Sequence, residues 1–488
     1  MRERKDVYNL PPGDDTLDWY DKAVERMQSL PNTNPLSWDY QAAVHGTVIP
    51  LTSATSGFWA ECQHGASFFP PWHRMYILHF ERIVAKHVVD LGGPIDWALP
   101  YWNYTTSDVR TLSLPPQFRD PTRPDGTPNS LYVAQRNPSA NAGAAILGSR
   151  DVALNCLRAP GGTAPGGFFG GAASAHFGAL TGALELTPHN NIHNRVGGSS
   201  GYMADPDYAA LDPIFWLHHA NIDRLWEVWL DCDPSHLNLT SAYWLTGVPF
   251  QFHDATGTVV TMTSANVLSL TAPVLDHKYT DAVCPVPFKT AGSPSIAAAP
   301  ISPSAPGPKG PTAPVPIGGG TTMMLSQPDL VGATHSAVRL GQQPLNVKIP
   351  TPITPRAFRL AASNIAPASS ARARQLVQRV TLHLEQVTSS DTSPTYDVFL
   401  NLPDGAVPNR HEDRFVARVS MFGIKQASDP NGRHGGGGQN FALDITELYH
   451  HLDDKNLIDA ANLKVTFVPV DPVGDQQVTV GRVSLYFA

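Results

Sequence analysis

Apolar residues recur at helical spacing through the first 290 or so positions of the chain and at strand spacing through its last third. In PWHRMYILHFERIVAKHVVDL, the positions Tyr76, Ile77, Phe80, Ile83, Val84 and Val88 share one helical face, which predicts an amphipathic helix beginning near Pro71. IFWLHHANIDRLWEVWLD repeats the pattern with Phe215, Leu217, Ile222, Leu225, Trp226 and Trp229. TLDWYDKAVERMQSL follows Asp-Asp-Thr, good N-capping chemistry, and predicts a third helix. TPHNNIHNRV predicts a fourth, and WDYQAAV, just before His45, ends a further one.

From about Thr321 the period changes to two. RQLVQRVTLHLEQVT, TYDVFLNLP, RFVARVSMFGI, LKVTFVPV and QVTVGRVSLYFA are short alternating runs separated by turn material such as PDG and DPVGD. Such spacing predicts an antiparallel sandwich or barrel. FALDITELYHHLDD reads as a short helix inserted near the end. Between the two patterns lies a Pro, Ala, Ser and Gly segment with almost no charge, which reads as a protease-sensitive linker. The expected fold is therefore multidomain α+β, with a mainly α-helical bundle over 1–287, a linker over 288–320 and a C-terminal antiparallel β-sandwich over 321–488.

Composition narrows the classes. The 488 residues are 42% hydrophobic and 16% charged, ordinary for a folded soluble protein. A net charge of −8 leaves no basic footprint for nucleic acid. No run is apolar enough to span a bilayer, and MRERKDVYNLPPGDD has no apolar core of a secretory signal. A soluble chain follows, its compartment left open. Cys156 reads as a small buried hydrophobe, and Cys232 and Cys284 can pair, which sequence alone does not establish.

The chemistry sits in two groups of three histidines, His45, His64 and His73 in one and His189, His193 and His219 in the other. Six neutral imidazoles can hold two transition-metal ions and leave positions open, an arrangement suited to a copper pair that binds dioxygen. His189 and His193 are four apart, hence one turn apart on a helical face. No Glu follows His189, so the general base of a zinc protease is missing, and the E-x-x-H of di-iron bundles is absent too. His219 and Asp223 are also four apart, so the carboxylate can orient a ligand imidazole. His79, His87, His236, His253 and the C-terminal histidines read as surface or core residues without a site.

CQHGASFFPPWHRMYILHFE and PHNNIHN with DPIFWLHHANIDRLW closely resemble the two copper-binding signatures of the tyrosinase, catechol oxidase and haemocyanin family. TYDVFLN and the closing VTFVPVDPV and VTVGRVSLYF resemble, more weakly, the C-terminal domain of plant polyphenol oxidases. The resemblance implies a helical dicopper domain with one copper on His45, His64 and His73 and the other on His189, His193 and His219. It favours His219 over His218, with Phe215 packed on a ligand ring. Dioxygen would be co-substrate and small phenols the partners, a monophenol being hydroxylated ortho or a catechol oxidised to an o-quinone. Cys62, in a C-x-H pattern, matches the cysteine that forms a thioether to the ligand, here His64. Glu185 matches a glutamate that holds a water near the second copper, Asn190 a residue that polarises that water, and Asn194 a position that tunes substrate preference. The short GYMADPDYAALDP segment around Pro206 implies wide access to the coppers. Where the family often carries Y-x-Y, this chain has Tyr279, Thr280 and Asp281. The C-terminal domain is read either as a shield that plugs the pocket, with Leu402 to Val407 as candidate loop, or as a permanent structural partner. Alternatives are a haemocyanin-like oxygen carrier, a catechol oxidase without monophenol activity and a dinuclear zinc hydrolase.

Overall fold

In the computed structural model the described residues are 1–171, 180–270, 274–285, 329–350, 379–390, 394–432, 434–458, 462–470 and 478–487. The expected linker, 288–320, lies outside them, as does most of RQLVQR.

Helices α1 (Thr16–Gln28), α2 (Trp38–His45), α3 (Phe69–Asp90), the single turn α4 (Pro138–Asn141), α5 (Asn190–Gly197) and α6 (Pro213–Cys232) build the first region. Local chemistry sets their starts. Ser37 accepts the Tyr40 N–H ahead of α2, Asp14 accepts the Thr16 N–H ahead of α1, and Asp212 accepts the Ile214 N–H ahead of α6. Helix α3 begins two residues earlier than Pro71, at Phe69, because Pro70 and Pro71 occupy its first turn, where a missing N–H costs nothing. The fourth expected helix is shorter than its pattern. Residues Glu185–His189 form a wide turn broken at Thr187, ahead of Pro188, and regular α-helix starts only at Asn190.

Helix α3 packs between α1 and α6. Its Phe80 lies flat on Trp216 of α6, with ring centroids 3.3 Å apart. Burying one such ring contributes roughly 1.5–3 kcal/mol. The N-terminus is tied in by β1 (Arg2–Arg4), which pairs in parallel with β4 (His277–Tyr279). A hairpin of β2 (Phe250–His253) and β3 (Val259–Met262) packs beside α3. A disulfide joins Cys232, at the end of α6, to Cys284.

The C-terminal strands are β5 (Asp329–Ala333), β6 (Val338–Leu340), β7 (Leu345–Pro350), β8 (Val380–Thr388), β9 (Thr395–Leu400), β10 (Phe415–Ser420), β11 (Gln439–Asp444), β12 (Asn462–Pro469) and β13 (Val478–Phe487). They form one antiparallel sheet in the order β10-β9-β12-β7 and another in the order β11-β8-β13-β5, with β6 also on β13. Val398, Val465, Leu382 and Val483, from both sheets, meet in one core. The expected helix FALDITELYHHLDD splits. Its first four residues end strand β11, because Phe441 and Leu443 enter that core while the backbone pairs with β8. Only Thr446–Asp454 is helical (α8), after the short α7 (Ile424–Ser428).

Candidate metal centre

The six expected imidazoles come from α2, α3, α5, α6, the Cys62–Gly65 turn and the wide turn before α5, and all are buried. In the first group the ring centroids are 5.2 Å apart for His45 and His64, 5.2 Å for His64 and His73, and 5.7 Å for His45 and His73. In the second they are 4.5 Å for His189 and His193, 5.0 Å for His189 and His219, and 5.5 Å for His193 and His219. The groups meet where His73 stacks on His219 at 4.5 Å. Phe69 lies between them, 4.6 Å from His73 and 4.7 Å from His189.

Four of the six rings are aimed by an oxygen close in the fold. Nδ1 of His45 faces the Pro206 carbonyl at 2.9 Å, Nδ1 of His73 faces the Phe69 carbonyl at 2.8 Å, and Nδ1 of His193 faces the Met203 carbonyl at 2.8 Å. Nδ1 of His189 faces Asn190 Oδ1 at 2.8 Å. These contacts select the tautomer that leaves Nε2 as a lone pair. The short segment around Pro206 thus holds two rings. It fits only because residue 46 is glycine, since a Cβ there would stand 2.3 Å from the Pro206 oxygen.

The inward nitrogens test whether metal fits. His45 Nε2, His73 Nε2 and His189 Nε2 are buried and have no hydrogen-bond partner among the described residues. His193 Nε2 and His219 Nε2 face each other at 3.3 Å. His193 Nε2 is left a lone pair by its Nδ1 contact, and His219 Nε2 meets it either as a hydrogen-bond donor or as a second ligand of one cation. Burial holds all six rings far below the ordinary imidazole range, His45 at about 4 and His189 at about 3, so protons do not compete for the site near neutral pH. The residues present fit two nitrogen-liganded ions.

The other expected residues divide. Phe215 packs on His219 at 4.2 Å and on His45 at 4.9 Å. The Cys62 sulfur, in a cysteine without a disulfide, lies within 4.8 Å of ligand atoms of both His45 and His64. Both Glu185 carboxylate oxygens accept the Gly65 N–H at 2.9 Å, so this side chain joins the turn carrying His64 to the turn carrying His189. Burial pushes its carboxyl up to about 8. Asn190 and Asn194 reach across to the C-terminal region, donating to the Ser420 carbonyl at 3.4 Å and to Thr395 Oγ1 at 3.1 Å.

Asp223 is not where the spacing put it. Its carboxylate is captured by Arg74, by Arg4 at 3.3 Å and by the Tyr279 hydroxyl, so it anchors a buried ion cluster rather than the His219 ring. Nor is the Leu402 to Val407 loop what the structure brings onto the ligand rings; Leu402 is buried and Val407 is solvent-exposed, and no ring contact joins either to a ligand histidine among the described residues. Phe422, in the turn after β10, does so instead. It stacks on His193 at 4.0 Å and meets His64 and His189 edge-on, each at 5.7 Å. The mouth that the short Pro206 segment was expected to leave wide is filled by this ring, which is 1% exposed and belongs to the core of the first region. Pattern reading missed Phe422 because nothing in RFVARVSMFGI distinguishes a residue pointing into a neighbouring domain from one in its own core. It also set aside His218, whose Nε2 is buried beside His189, His193 and His219 and whose Nδ1 meets the Tyr104 hydroxyl at 2.9 Å.

Comparison with known proteins agrees with this centre. The common central domain of tyrosinase matches residues 35–166 and 169–231, and a domain of unknown function (DUF7868) matches 327–488. The chain is 34% identical to Tyrosinase HcTyr1 of Hahella sp. (strain CCB-MM4), over 100% of this chain and 99% of that one. The chain belongs to the tyrosinase family. A second tyrosinase-family relative, the latent form of chloroplastic polyphenol oxidase from Prunus armeniaca, is 30% identical over 51% of this chain and 43% of its own length. The structure of latent apple tyrosinase shares the fold with a TM-score of 0.64 at 20% identity, covering 100% of this chain and 97% of that one. Membership makes the protein a copper oxidoreductase of the tyrosinase type, and whole-length likeness to a tyrosinase favours an enzyme over a haemocyanin-like carrier. No helix among the described residues is long and apolar enough to cross a membrane.

Proposed function

We propose that the protein is a latent phenol oxidase. It hydroxylates small monophenols at the ortho position and oxidises o-diphenols to o-quinones with dioxygen. Its dicopper region spans 1–287, a cleavable linker 288–320 and a shielding domain 321–488. The observation that carries this reading is a cage of buried imidazoles with bare inward nitrogens, closed by Phe422.

His45, His64 and His73 would hold one copper, and His189, His193 and His219 the other. Bound copper supplies the binding and activation of dioxygen. His219 is preferred to His218 because its Nε2 stands 3.3 Å from that of His193, the spacing of two ligands on one ion. Cys62 would form the thioether to His64 in a two-electron oxidation by dioxygen at the copper-loaded site, a reading supported by its sulfur lying within 4.8 Å of a His64 ligand atom, and the bond would remove rotamers from that ring and preorganise it. Phe215 fixes the tilt of His219 by packing.

A phenol gives up its proton reluctantly, with a reference pKa of about 10. Glu185 is the acceptor in this reading, acting through a held water that Asn190 polarises. Asn194 borders the substrate path. In the closed form both asparagine amides are bonded to the C-terminal region, and Phe422 occupies the space a phenol ring needs. The test is turnover of a monophenol and of a catechol by copper-loaded protein before and after limited proteolysis. Latency predicts a rise of at least tenfold on cleavage within 288–320. Equal rates before and after cleavage would leave the C-terminal region as a structural partner only, and reversible oxygen binding with no turnover would make the protein a carrier.

A further inference from the structure

A second set of soft metal ligands lies outside the histidine cage, where α3 meets the β2–β3 hairpin. His79 Nε2 stands 3.1 Å from the Met262 sulfur. His79 is 3% exposed and Met262 5%. The other ring nitrogen, His79 Nδ1, is buried and has no hydrogen-bond partner among the described residues. His253, at the end of β2, is 7% exposed and has a buried Nδ1 in the same condition.

Neither tautomer of His79 is satisfied by this setting. With the proton on Nε2, the ring donates to a weak thioether acceptor and leaves a lone pair bare. With the proton on Nδ1, a buried donor goes unpaired while an imidazole lone pair faces a sulfur lone pair. An unmade buried hydrogen bond costs about 1–3 kcal/mol. Four histidines of the cage, His45, His73, His189 and His193, avoid this cost by aiming Nδ1 at a carbonyl or an amide oxygen, and His79 has found neither.

A cation touching both Nε2 and sulfur turns the two facing lone pairs into ligand bonds, which offsets the unpaired Nδ1–H that this tautomer leaves. Imidazole with thioether is a soft donor pair, which selects copper(I) over magnesium, calcium or manganese. The Arg82 charge also acts on His79, disfavouring a divalent ion more than a monovalent one, and Asp254 partly offsets it. Two aromatic rings separate the position from the cage. Phe252 lies against His79 at 5.4 Å and against Trp72 at 5.9 Å, and Trp72 lies against His73 at 4.8 Å.

We propose that His79 and Met262 form a third copper site that takes copper(I). The inference stands on its own residues and does not depend on the phenol chemistry or on latency. The full chain, already carrying two copper equivalents, is titrated anaerobically with cuprous ion. A third equivalent should bind, and its affinity should fall at least 100-fold in Met262→Leu and in His79→Gln while the first two equivalents are unchanged. Leu conserves the core volume at 262, so that variant should keep its fold, which its thermal transition checks. X-ray absorption at the third equivalent should show one sulfur neighbour that Met262→Leu removes. A native chain that stops at two equivalents, or a third equivalent that both variants retain, would overturn the site.

Discussion

The Phe422 ring lies flat on the His193 imidazole, centroids 4.0 Å apart and planes 18° apart. A flat stack covers the face of a ligand ring along which a planar phenol would approach. Phe422→Ala should therefore raise catechol turnover of the uncleaved chain at least tenfold, chiefly through KM, with the copper content unchanged. Steady-state kinetics on uncleaved protein checks this, and an Ala variant as silent as the parent would remove Phe422 from the account of latency.

What keeps that ring in place is a seam of charge. Arg418 pairs with Asp397 at 2.7 Å and with Asp151 at 2.8 Å. Arg150 pairs with Asp397 at 2.5 Å and rests on the Phe415 ring at 4.3 Å. Both aspartates are buried, and removing one partner of such a set is far more costly than the net worth of the pair, typically 3–5 kcal/mol. Asp151→Asn leaves Arg195 and Arg418 short of countercharge across the boundary. Expected are basal turnover several-fold above the parent and cleavage of the linker at lower protease concentration. Unchanged cleavage kinetics would show that the seam does not hold the shield.

These two relationships mark the limit of what the chain discloses by pattern. The helices bearing His73 and His219 are long and periodic, and the strands of the last third alternate cleanly, so both were legible. His45, His64 and His73 converge as their signature implies because the fold repeats with the motif. Asp223 was misplaced because spacing along one helix says nothing about which neighbour competes for a carboxylate, and Arg4, far away in sequence, is in fact one of its partners. Phe422 was missed for the same reason. A contact between regions is set by docking, and no local period encodes it.

Glu185 offers a discriminating substitution. Both carboxylate oxygens accept the Gly65 N–H, and a glutamine oxygen can keep that bond while losing the capacity to take a proton. Glu185→Gln should lower monophenol turnover about 100-fold or more, within the usual range for loss of a positioned base. Catechol turnover by the cleaved protein should change less than threefold. Equal loss on both substrates would make Glu185 a brace between two ligand turns and nothing else.

The ion cluster around Asp223 should govern stability. Arg4 and Arg74 are fully buried, and Glu81 accepts from Arg4 at 2.5 Å and from the Leu99 N–H at 2.8 Å. Asp223→Asn deprives two buried guanidinium groups of their shared anion, at a cost of about 3–5 kcal/mol. The midpoint of urea unfolding should drop accordingly with little change in slope. Deleting residues 1–4 should produce a similar loss, since it strips β1 from β4 and leaves Glu81 buried without Arg4. Parent-like midpoints for both would show that the cluster is tolerated rather than stabilising.

Acid sensitivity of the C-terminal region should trace to His383. Its ring packs on Tyr486 at 4.4 Å and meets Thr381 Oγ1 at 3.0 Å, on the face where β8 pairs with β13. Burial pushes this imidazole down to about 4, below the unfolded reference of about 6.5. Between those values the unfolded chain binds the proton and the folded one does not. Stability is therefore fully present above pH 6.5 and declines as pH falls toward 4. The shift sets a ceiling of about 3 kcal/mol, reduced by solvent because the ring is only partly buried. His383→Phe keeps the stack on Tyr486 and removes the titration. Hydrogen exchange of β8 and β13 amides, corrected for intrinsic rates, should lose protection between pH 6.5 and 4.5 in the parent and much less in the variant. Identical losses in the two proteins would assign the acid sensitivity to other groups.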